Sequence, residues 1–561
     1  MTAQDLKERV RAGLDGIVRE IVEPVPGQVY IAVDRADIRR AVEYVARTFD
    51  ARFLITAGID KRDSRGDFEV DHIFALDPDK MFVTVRSSVP TDDTRIEAIT
   101  PTIPAAGWAE REMRDLVGID AVGHPDPRRL VTPDDWPDDV YPLRNDVPYG
   151  YRPEPVPQRP EEYLDPPDGA SVLPIGPFFP VLEEPSYWRV FIDGETVVGC
   201  DYRGFYNHRG IEKLGGSTQT YNEIPFAAQR ICGICGFIHS TCYCEAVERA
   251  AKIEVPPRAL FIRSLVLEFE RIESHLLWLG IAAHILGFDT VLMQSWRIRE
   301  PIMWLCELLT GNRKAYDVNL VGGVRRDIPR ETHPKILEVV AGIEKQTAEL
   351  VSTIPGDSTL LLRCKDVGVL STEDARKIAI VGPPARASNV DIDARRDHPY
   401  SAYDQIEFDV PVYDTCDVLA RIMVRMDETL ETIKIIRRLL ERMPEGPIMT
   451  KVEEELPPWQ EGICTVEAPR GEAIHYVLTG PDNRPARWRV RAPTYSNLQS
   501  VPFALQGVQI ADVPITIGSF DPCFSCTERF EVVQAKTGET RIYTQEELLD
   551  LSREKSKAAR R

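Results

Sequence analysis

Four of the eleven cysteines stand in two Cys-x-x-Cys pairs, Cys232-Gly-Ile-Cys235 and Cys523-Phe-Ser-Cys526. Two residues between cysteines let both sulfurs face one ion from a single tight turn, so each pair predicts a two-thiolate metal ligand. A zinc ribbon closes with roughly 15 to 20 residues between its pairs, whereas 287 residues separate these two. Either pair alone also fits a structural zinc half-site or buried thiols. If the pairs share an ion, the site joins the two ends of a large domain.

The residues around the two pairs narrow the chemistry. Arg230 and His239 flank the first pair, and Asp521 and Arg529 flank the second, which gives the patterns R-x-C-G-x-C-x-x-x-H and D-P-C-x-x-C-x-x-R. Together these patterns resemble the paired signatures of nickel-iron hydrogenase large subunits. Splitting dihydrogen into a hydride and a proton needs a soft, thiolate-rich metal with a base beside it, and the paired thiolates match the first of these needs.

The resemblance implies a ligand for each metal. Cys232 and Cys523 are expected to bind nickel terminally, while Cys235 and Cys526 bridge nickel to an iron that also carries carbon monoxide and cyanide. A terminal thiolate stays basic enough to accept a proton, so Cys523 is the expected first acceptor. His239 is expected to donate a hydrogen bond to a bridging sulfur instead of binding metal.

A carboxylate near the metal could carry the proton onward if burial raises its pKa toward neutrality. His208-Arg-Gly-Ile-Glu212-Lys213 is similar to the segment that supplies the proton-transfer glutamate in the family, which makes Glu212 the candidate. The alternative interpretation of Glu212 is a salt bridge with Arg209 or Lys213.

Further segments of the chain resemble those that surround the bimetallic centre. Glu467-Ala-Pro469-Arg470-Gly471 is similar to the segment whose arginine hangs over the metals. That arginine would hold a permanent positive charge where negative charge develops. Two more pairs of segments resemble outer-layer segments of the energy-converting branch, which surround the metal ligands without binding metal. They are Arg386-Ala-Ser388 with Asp393, and Arg491-Ala-Pro-Thr494 with Asn497. His275 and His284 lack a matching acid on their predicted helix and are expected to pack or hydrogen-bond.

The resemblance extends over almost the whole chain and predicts its domains. Gly107–Met113, Gly123–Arg129 and Tyr141–Arg144 resemble the 30-kDa subunit of respiratory complex I, and Gly311–Arg313 with Gly322–Val324 resemble its 49-kDa subunit. This fused order is typical of formate-hydrogenlyase-type, energy-converting (group 4) nickel-iron hydrogenase large subunits. We predict a 30-kDa-like α+β domain over 1–145, a Pro-rich linker over 146–185, a 49-kDa-like hydrogenase domain over 186–529, and an extension over 530–561 that a maturation endopeptidase removes after nickel insertion.

Sequence periodicity predicts an α+β fold, with a small α+β domain followed by a mainly helical one that begins with a small β region. In the first domain, the predicted strands are Val29–Val33, Asp67–Leu76 and Met81–Val85, and the predicted helices are Asp37–Phe49 and Trp108–Val117. Asp193-Gly194 predicts a hairpin. A stripe from Leu265 to Ala283 predicts one long helix, and Tyr413–Met443 predicts another that Pro444 ends.

Composition limits the partners. The net charge of −21 repels a polyphosphate backbone, so nucleic acid is not expected. No apolar stretch reaches the roughly 20 residues of a spanning helix, and the N-terminus does not look like a secretory signal. We therefore predict a cytoplasmic subunit, peripheral on the membrane.

The chain has no further cysteines at cluster spacing, so electrons need an iron-sulfur partner. By the resemblance, the partners are a small subunit similar to the 20-kDa subunit of complex I with a 4Fe-4S cluster, a ferredoxin-like electron-transfer subunit, and antiporter-like membrane subunits. Formate or a low-potential ferredoxin would be the ultimate electron source. Two alternatives remain open: a metal-free, quinone-reducing or ion-pumping relative of complex I, and a noncatalytic assembly subunit whose thiolates hold zinc.

Overall fold

The structure is a computed structural model that describes residues 1–157, 162–176, 185–205, 208–353, 356–453 and 455–524. Cys526, Arg529 and the segment 530–561 lie outside these residues, as do parts of the predicted Pro-rich linker. The predicted α+β class is confirmed, because a sheet-based front domain is followed by a larger, mostly helical one.

The front domain is built on a five-stranded sheet. In spatial order, its strands are β1 (Val18–Val25), β2 (Gln28–Val33), β5 (Met81–Val89), β4 (Asp67–Leu76) and β3 (Arg52–Lys61), and β2 and β5 are parallel while the other neighbours are antiparallel. All five predicted elements are present, but β1 and β3 were not predicted. Almost every residue of β3 and β4 is buried, so the sheet is covered on both faces. The elements are α1 Ala3–Gly13, β1 Val18–Val25, β2 Gln28–Val33, α2 Ile38–Thr48, β3 Arg52–Lys61, α3 Arg62–Arg65, β4 Asp67–Leu76, β5 Met81–Val89, β6 Arg95–Glu97, α4 Gly107–Val117 and β7 Asp120–Val122.

The predicted hairpin is confirmed and forms part of a small three-stranded sheet. Its strands are β8 Ser171–Ile175, β9 Tyr187–Asp193 and β10 Thr196–Arg203, in the order β10-β9-β8. The turn lies at Gly194 and Glu195, and Gly194 has a φ of 60° that suits a residue without a Cβ.

Two long helices, α8 (Pro257–Ile285) and α15 (Val418–Arg442), pack together in the second domain, and a hydrophobic core surrounds them. The prediction of a single apolar stripe describes α8 only in part. Nearly all its side chains are buried, on every side of the helix, including charged ones such as Arg263 and Glu268. Helix α15 begins five residues later than predicted, since the Asp417 carboxylate caps the Ala420 N–H at 2.8 Å. The helices of this domain are α5 Ile211–Thr218, α6 Ile224–Ala228, α7 Gly236–Ala251, α8 Pro257–Ile285, α9 Asp289–Thr310, α10 His333–Val351, α11 Ser358–Cys364, α12 Thr372–Lys377, α13 Pro383–Arg386, α14 Ala394–Asp397, α15 Val418–Arg442, α16 Pro493–Asn497, α17 Val501–Ala504 and α18 Val513–Ser519.

A three-stranded antiparallel sheet that was not predicted joins the two domains. Its strands are β13 Glu461–Ala468, β14 Gly471–Thr479 and β15 Pro485–Arg491, and a two-strand ladder of β11 Asn319–Leu320 and β12 Gly323–Val324 lies elsewhere. The β13–β15 sheet packs against α7 and against the front domain. Gln28 exchanges two hydrogen bonds with the Ile463 backbone, at 2.9 and 3.1 Å.

Arginines of β15 extend this contact to β3 of the front domain. Arg487, Arg489 and Arg491 donate to the backbone carbonyls of Gly58, Thr56 and Leu54, at 3.0, 3.2 and 3.3 Å. Every second residue of one strand thus meets every second carbonyl of the other. No helix in the described part of the chain is both long and apolar enough to cross a bilayer.

Candidate metal centre

The structure brings the two ends of the second domain together at their cysteines. Cys232 and Cys523 are 291 positions apart in the chain, yet their sulfurs lie 3.3 Å apart, and the Cys235 sulfur lies 2.9 Å from that of Cys232. All three thiols are buried. The predicted convergence is therefore present for the three cysteines that the structure describes, and the fourth, Cys526, lies outside the described residues.

Helix α7 positions the first pair. Cys235 is its N-terminal cap, and the backbone N–H groups of Ile234 and Cys235 point at the Cys232 sulfur at 3.4 and 3.2 Å. A helix N-terminus and backbone N–H groups both favour a thiolate. Glu270, which was not predicted, holds this turn from α8 by accepting from the N–H groups of Phe237 and Ile238, at 2.8 and 3.1 Å.

Cys523 follows α18 and is held by two segments. Its N–H donates to Thr494 Oγ1 at 3.1 Å, so one expected outer-layer residue contacts the backbone of an expected metal ligand. Arg470 Nε donates to the Asp521 carbonyl at 2.8 Å, and Arg470 Nη2 lies 2.8 Å from Asp521 Oδ1. Arg470 thus ties the chain two residues before Cys523.

Arg470 reaches this position from the tip of the β13–β14 hairpin. Pro469 and Arg470 form the turn, Ala468 pairs with Gly471, and both turn residues are buried. The backbone at Gly382 packs closely against this hairpin tip. A Cβ on Gly382 would lie only 2.2 Å from the Gly471 Cα, so position 382 needs glycine. Asn497, also an expected outer-layer residue, donates to the Arg470 carbonyl at 3.1 Å.

The close packing of the three thiols suits a bound cation. The hydrogen bond to Cys232, burial, and the charges of Cys232 and Cys523 raise the pKa of the Cys235 thiol, so a bound cation would favour its ionisation. Two sulfurs bound to one ion at about 2.3 Å lie roughly 3.3 to 3.8 Å apart. The Cys232–Cys523 contact matches this range, whereas the Cys232–Cys235 contact is shorter. Within the described residues, no group of three or more His, Cys, Asp or Glu side chains is already arranged as a metal site.

Two buried donors beside the cysteines have no hydrogen-bond acceptor among the described residues: Arg470 Nη1 and His239 Nε2. A buried donor normally has a partner, so both fit a site that takes a negatively charged or sulfur-rich group. The donor set therefore suits a thiolate-bound metal with anionic ligands.

The state of His239 follows from a chain of contacts that was not predicted. Trp488 Nε1, which can only donate, donates to His475 Nδ1 at 3.1 Å, and His475 Nε2 lies 3.1 Å from His239 Nδ1. Burial lowers the pKa of His239 to about 4 and lowers the pKa of His475 well below its ordinary value, so both are neutral at pH 7. His475 must then donate to His239, which leaves the proton of His239 on Nε2. The indole thus makes His239 Nε2 a donor, as its expected role requires.

Glu212, on α5, forms ion pairs with arginines of β15. Its carboxylate accepts from Arg487 Nη1 at 2.6 Å, Arg489 Nη1 at 3.1 Å and the Val490 N–H at 2.9 Å. Burial alone would raise its pKa, but the two guanidiniums and the Val490 N–H lower it to about 2. The expectation of a raised pKa is therefore wrong. The salt bridge of the alternative interpretation exists, but with these arginines and not with Arg209 or Lys213.

Arg386 and Asp393 lie in a buried charge network behind the hairpin. Arg386 donates to Glu428 Oε1 at 2.7 Å and to Glu467 Oε1 at 2.9 Å, and Asp393 pairs with Arg395 at 2.7 Å. Glu467 stands three residues before Arg470, so this network supports the hairpin that carries it.

His275 and His284 form hydrogen bonds, as expected, and each does so with an acid outside α8. His275 Nε2 lies 2.9 Å from Glu428 Oε2, and His284 Nδ1 lies 2.6 Å from Asp289 Oδ1. Neither acid lies on α8, so a search along that helix alone could not find it.

The fold and site define a nickel-dependent hydrogenase chain built on a complex I framework, and family models agree. The model described as respiratory-chain NADH dehydrogenase, 30 Kd subunit, matches 31–153, and its 49 Kd counterpart matches 286–463 and 452–529. The model described as nickel-dependent hydrogenase matches 209–290, which contains the first cysteine pair.

One relative covers almost the whole chain, and two others cover about two thirds of it. Formate hydrogenlyase subunit 5 of Escherichia coli K12 is 38% identical over 558 residues, which span 98% of each chain. The membrane-bound hydrogenase subunit alpha of Pyrococcus furiosus is 39% identical over 401 residues, 69% of this chain and 93% of that one. A chain of the archaeal membrane-bound sulfane sulfur reductase aligns with a TM-score of 0.61 at 30% identity, over 65% of this chain and 100% of that one. The chain belongs to the group 4, formate-hydrogenlyase-type family of nickel-iron hydrogenase large subunits.

Proposed function

We propose that this subunit carries out reversible hydrogen formation at a nickel-iron centre held by Cys232, Cys235, Cys523 and Cys526. The observation that carries the proposal is the 3.3 Å contact between the sulfurs of Cys232 and Cys523, which join the two ends of the domain. A metal-free, quinone-binding function would not explain why these thiols come together. A purely structural zinc site would not explain the buried donors Arg470 Nη1 and His239 Nε2.

The centre, when bound, supplies the soft metal that takes the hydride while a proton leaves to a base. Cys232, Cys235, Cys523 and Cys526 would hold the nickel, and an iron that carries carbon monoxide and cyanide would share the site. Arg470 would hold a permanent positive charge beside these anionic ligands, and the His239 Nε2–H would donate to a sulfur of the centre.

Protons move between Cys523 Sγ and Glu212 in this proposal. Glu212 lines a cavity of about 80 Å³, large enough for a few water molecules, which Ile231 beside Cys232 also lines. With a pKa of about 2, protonating Glu212 at pH 7 costs about 7 kcal/mol. Turnover at 1 to 10³ per second corresponds to a total barrier of roughly 13 to 17 kcal/mol. A transiently protonated Glu212 is therefore compatible with catalysis.

Electrons require other subunits, since the chain has no further cysteines at cluster spacing. We propose a 20-kDa-like small subunit with a 4Fe-4S cluster, a ferredoxin-like subunit that connects it to formate or reduced ferredoxin, and antiporter-like subunits that hold this chain at the cytoplasmic face of the membrane. An endopeptidase would release 530–561 after nickel insertion.

The test is infrared spectroscopy of the purified complex, together with assays of nickel, iron and hydrogen turnover. We expect carbonyl and cyanide stretches and one nickel per chain, both lost in Cys232→Ser. Buried Cys244, which resembles no ligand of the family, provides the matched control, because Cys244→Ser should keep both. Zinc in place of nickel, or no such stretches in active preparations, would refute the proposal.

A further inference from the structure

Glu112 of the front domain reaches the proton-transfer region of the second domain. It lies on α4 within the Gly107–Met113 segment, and its side chain is only 10% exposed. Arg489 binds it with both terminal nitrogens, Nη1 to Oε1 at 2.8 Å and Nη2 to Oε2 at 2.7 Å, and the Tyr495 hydroxyl donates to Oε2 at 2.7 Å. A carboxylate from another domain is thus held beside Glu212.

One nitrogen atom serves both carboxylates. Arg489 Nη1 donates to Glu112 Oε1 at 2.8 Å and to Glu212 Oε1 at 3.1 Å, so the two oxygens lie within two hydrogen-bond lengths of each other. Glu112 and Glu212 also line the same small cavity. The two glutamates therefore compete for one guanidinium.

Glu112 brings a second negative charge to the two arginines that hold Glu212. Two guanidiniums, Arg487 and Arg489, face the two glutamates, and Lys213 donates to the Arg144 carbonyl at 2.8 Å. The other polar groups that line the cavity are His208 and Arg209 of the preceding segment and Tyr495. Without Glu112, Glu212 would face both cations alone and hold its negative charge more tightly.

We infer that Glu112 is a positioning residue for proton transfer: by sharing Arg489, it weakens the hold of the second domain on the Glu212 carboxylate and lets that carboxylate take up a proton. The inference rests on the proposed role of Glu212. It gives the front domain a part in the reaction without any contact with the metals.

The test is Glu112→Gln in the complete complex. A negative charge within two hydrogen-bond lengths, at an effective dielectric of about 20, is worth roughly one to two pKa units. We expect hydrogen evolution near neutral pH to fall about tenfold or more and to recover as the pH is lowered. The solvent deuterium isotope effect should rise because proton transfer becomes limiting, while nickel content and the carbonyl and cyanide stretches stay unchanged.

Three further variants separate charge from structure. Glu112→Asp keeps the charge and should keep most of the wild-type pH profile. Glu112→Gln with Arg489→Gln removes one charge of each sign and should recover part of the lost rate. Glu461→Gln is the matched control, because Glu461 makes another buried interdomain pair, with Arg86 at 2.9 Å, away from this cavity; its pH profile should match that of wild type.

Two results would overturn the inference: an unchanged pH profile and isotope effect in Glu112→Gln, or an equal shift in Glu461→Gln, which would show that only domain docking matters. A wild-type complex without hydrogen turnover would instead refute the proposed function, so the two failures can be told apart.

Discussion

Arg470→Leu should loosen the segment that carries Cys523 even when no metal is bound. Arg470 gives Asp521 one contact to its carbonyl and one to its carboxylate, both at 2.8 Å, and the Asp521 side chain is only 5% exposed. Removing one partner of a buried pair costs about 3 to 5 kcal/mol. Because Asp521 lies two residues before Cys523, we expect this cost to appear as local opening of 513–524.

Native-state hydrogen exchange measures this opening directly. A loss of about 3 to 5 kcal/mol lowers the protection of the affected amides by roughly two to four powers of ten. Peptides spanning 513–524 should show it in protein produced without nickel, so that metal loss plays no part. Peptides from β1 to β5 should exchange as in wild type.

Two variants test the cause. Arg470→Lys keeps the charge but cannot reproduce the two-pronged contact, so it should fall between Leu and wild type. Adding Asp521→Asn to Arg470→Leu removes the uncompensated charge and should restore part of the protection; Asn tolerates the φ of 53° at this position. Protection of 513–524 within a few-fold of wild type in Arg470→Leu would refute the reasoning.

Four further results are expected. Cys523→Ser should leave the centre without stable nickel, and full nickel occupancy by elemental analysis would contradict the ligand assignment. Glu212→Gln should abolish hydrogen turnover with nickel and iron intact, and normal turnover would remove Glu212 from the mechanism. Trp488→Phe removes the only N–H of that side chain and should shift the carbonyl and cyanide stretches at unchanged metal content; an identical spectrum would show that the tautomer of His239 does not depend on the indole. Acidification should loosen α5 from β15, because the Glu212 pKa lies at about 2, below its ordinary 4.5. The resulting stabilisation of about 3 kcal/mol is complete above pH 4.5 and lost toward pH 2. Protection factors of the 211–218 amides, corrected for the pH dependence of intrinsic exchange, that stay constant across this range would contradict it.

Much of the fold could be predicted because its elements bury apolar residues at regular intervals. The predicted strands near Val29, Asp67 and Met81 are present, and Pro444 ends the second long helix as predicted. The β13–β15 sheet escaped prediction for a physical reason. Its last strand reads Pro-Ala-Arg-Trp-Arg-Val-Arg, and alternating arginines normally indicate a solvated face. In this protein, that face is buried against another domain.

The site was predictable where short motifs define it and not where partners come from distant segments. Cys-x-x-Cys spacing and flanking residues pointed to Cys232, Cys235 and Cys523. Contacts such as His475 with His239 have no local signal, since the partners lie 236 positions apart. The pKa of Glu212 could not be foreseen either, because its direction depends on two arginines of a strand that the sequence pattern did not reveal.

Strand β15 links domain docking to the proposed proton path. Arg487 and Arg489 each donate to a carbonyl of β3 and to the carboxylate of Glu212. Undocking the front domain would remove those carbonyls and Glu112 together and would expose both guanidiniums to water. Glu212 would then lose the arrangement in which Glu112 shares Arg489 with it. The front domain is therefore expected to support proton transfer as well as stability, through the same two side chains.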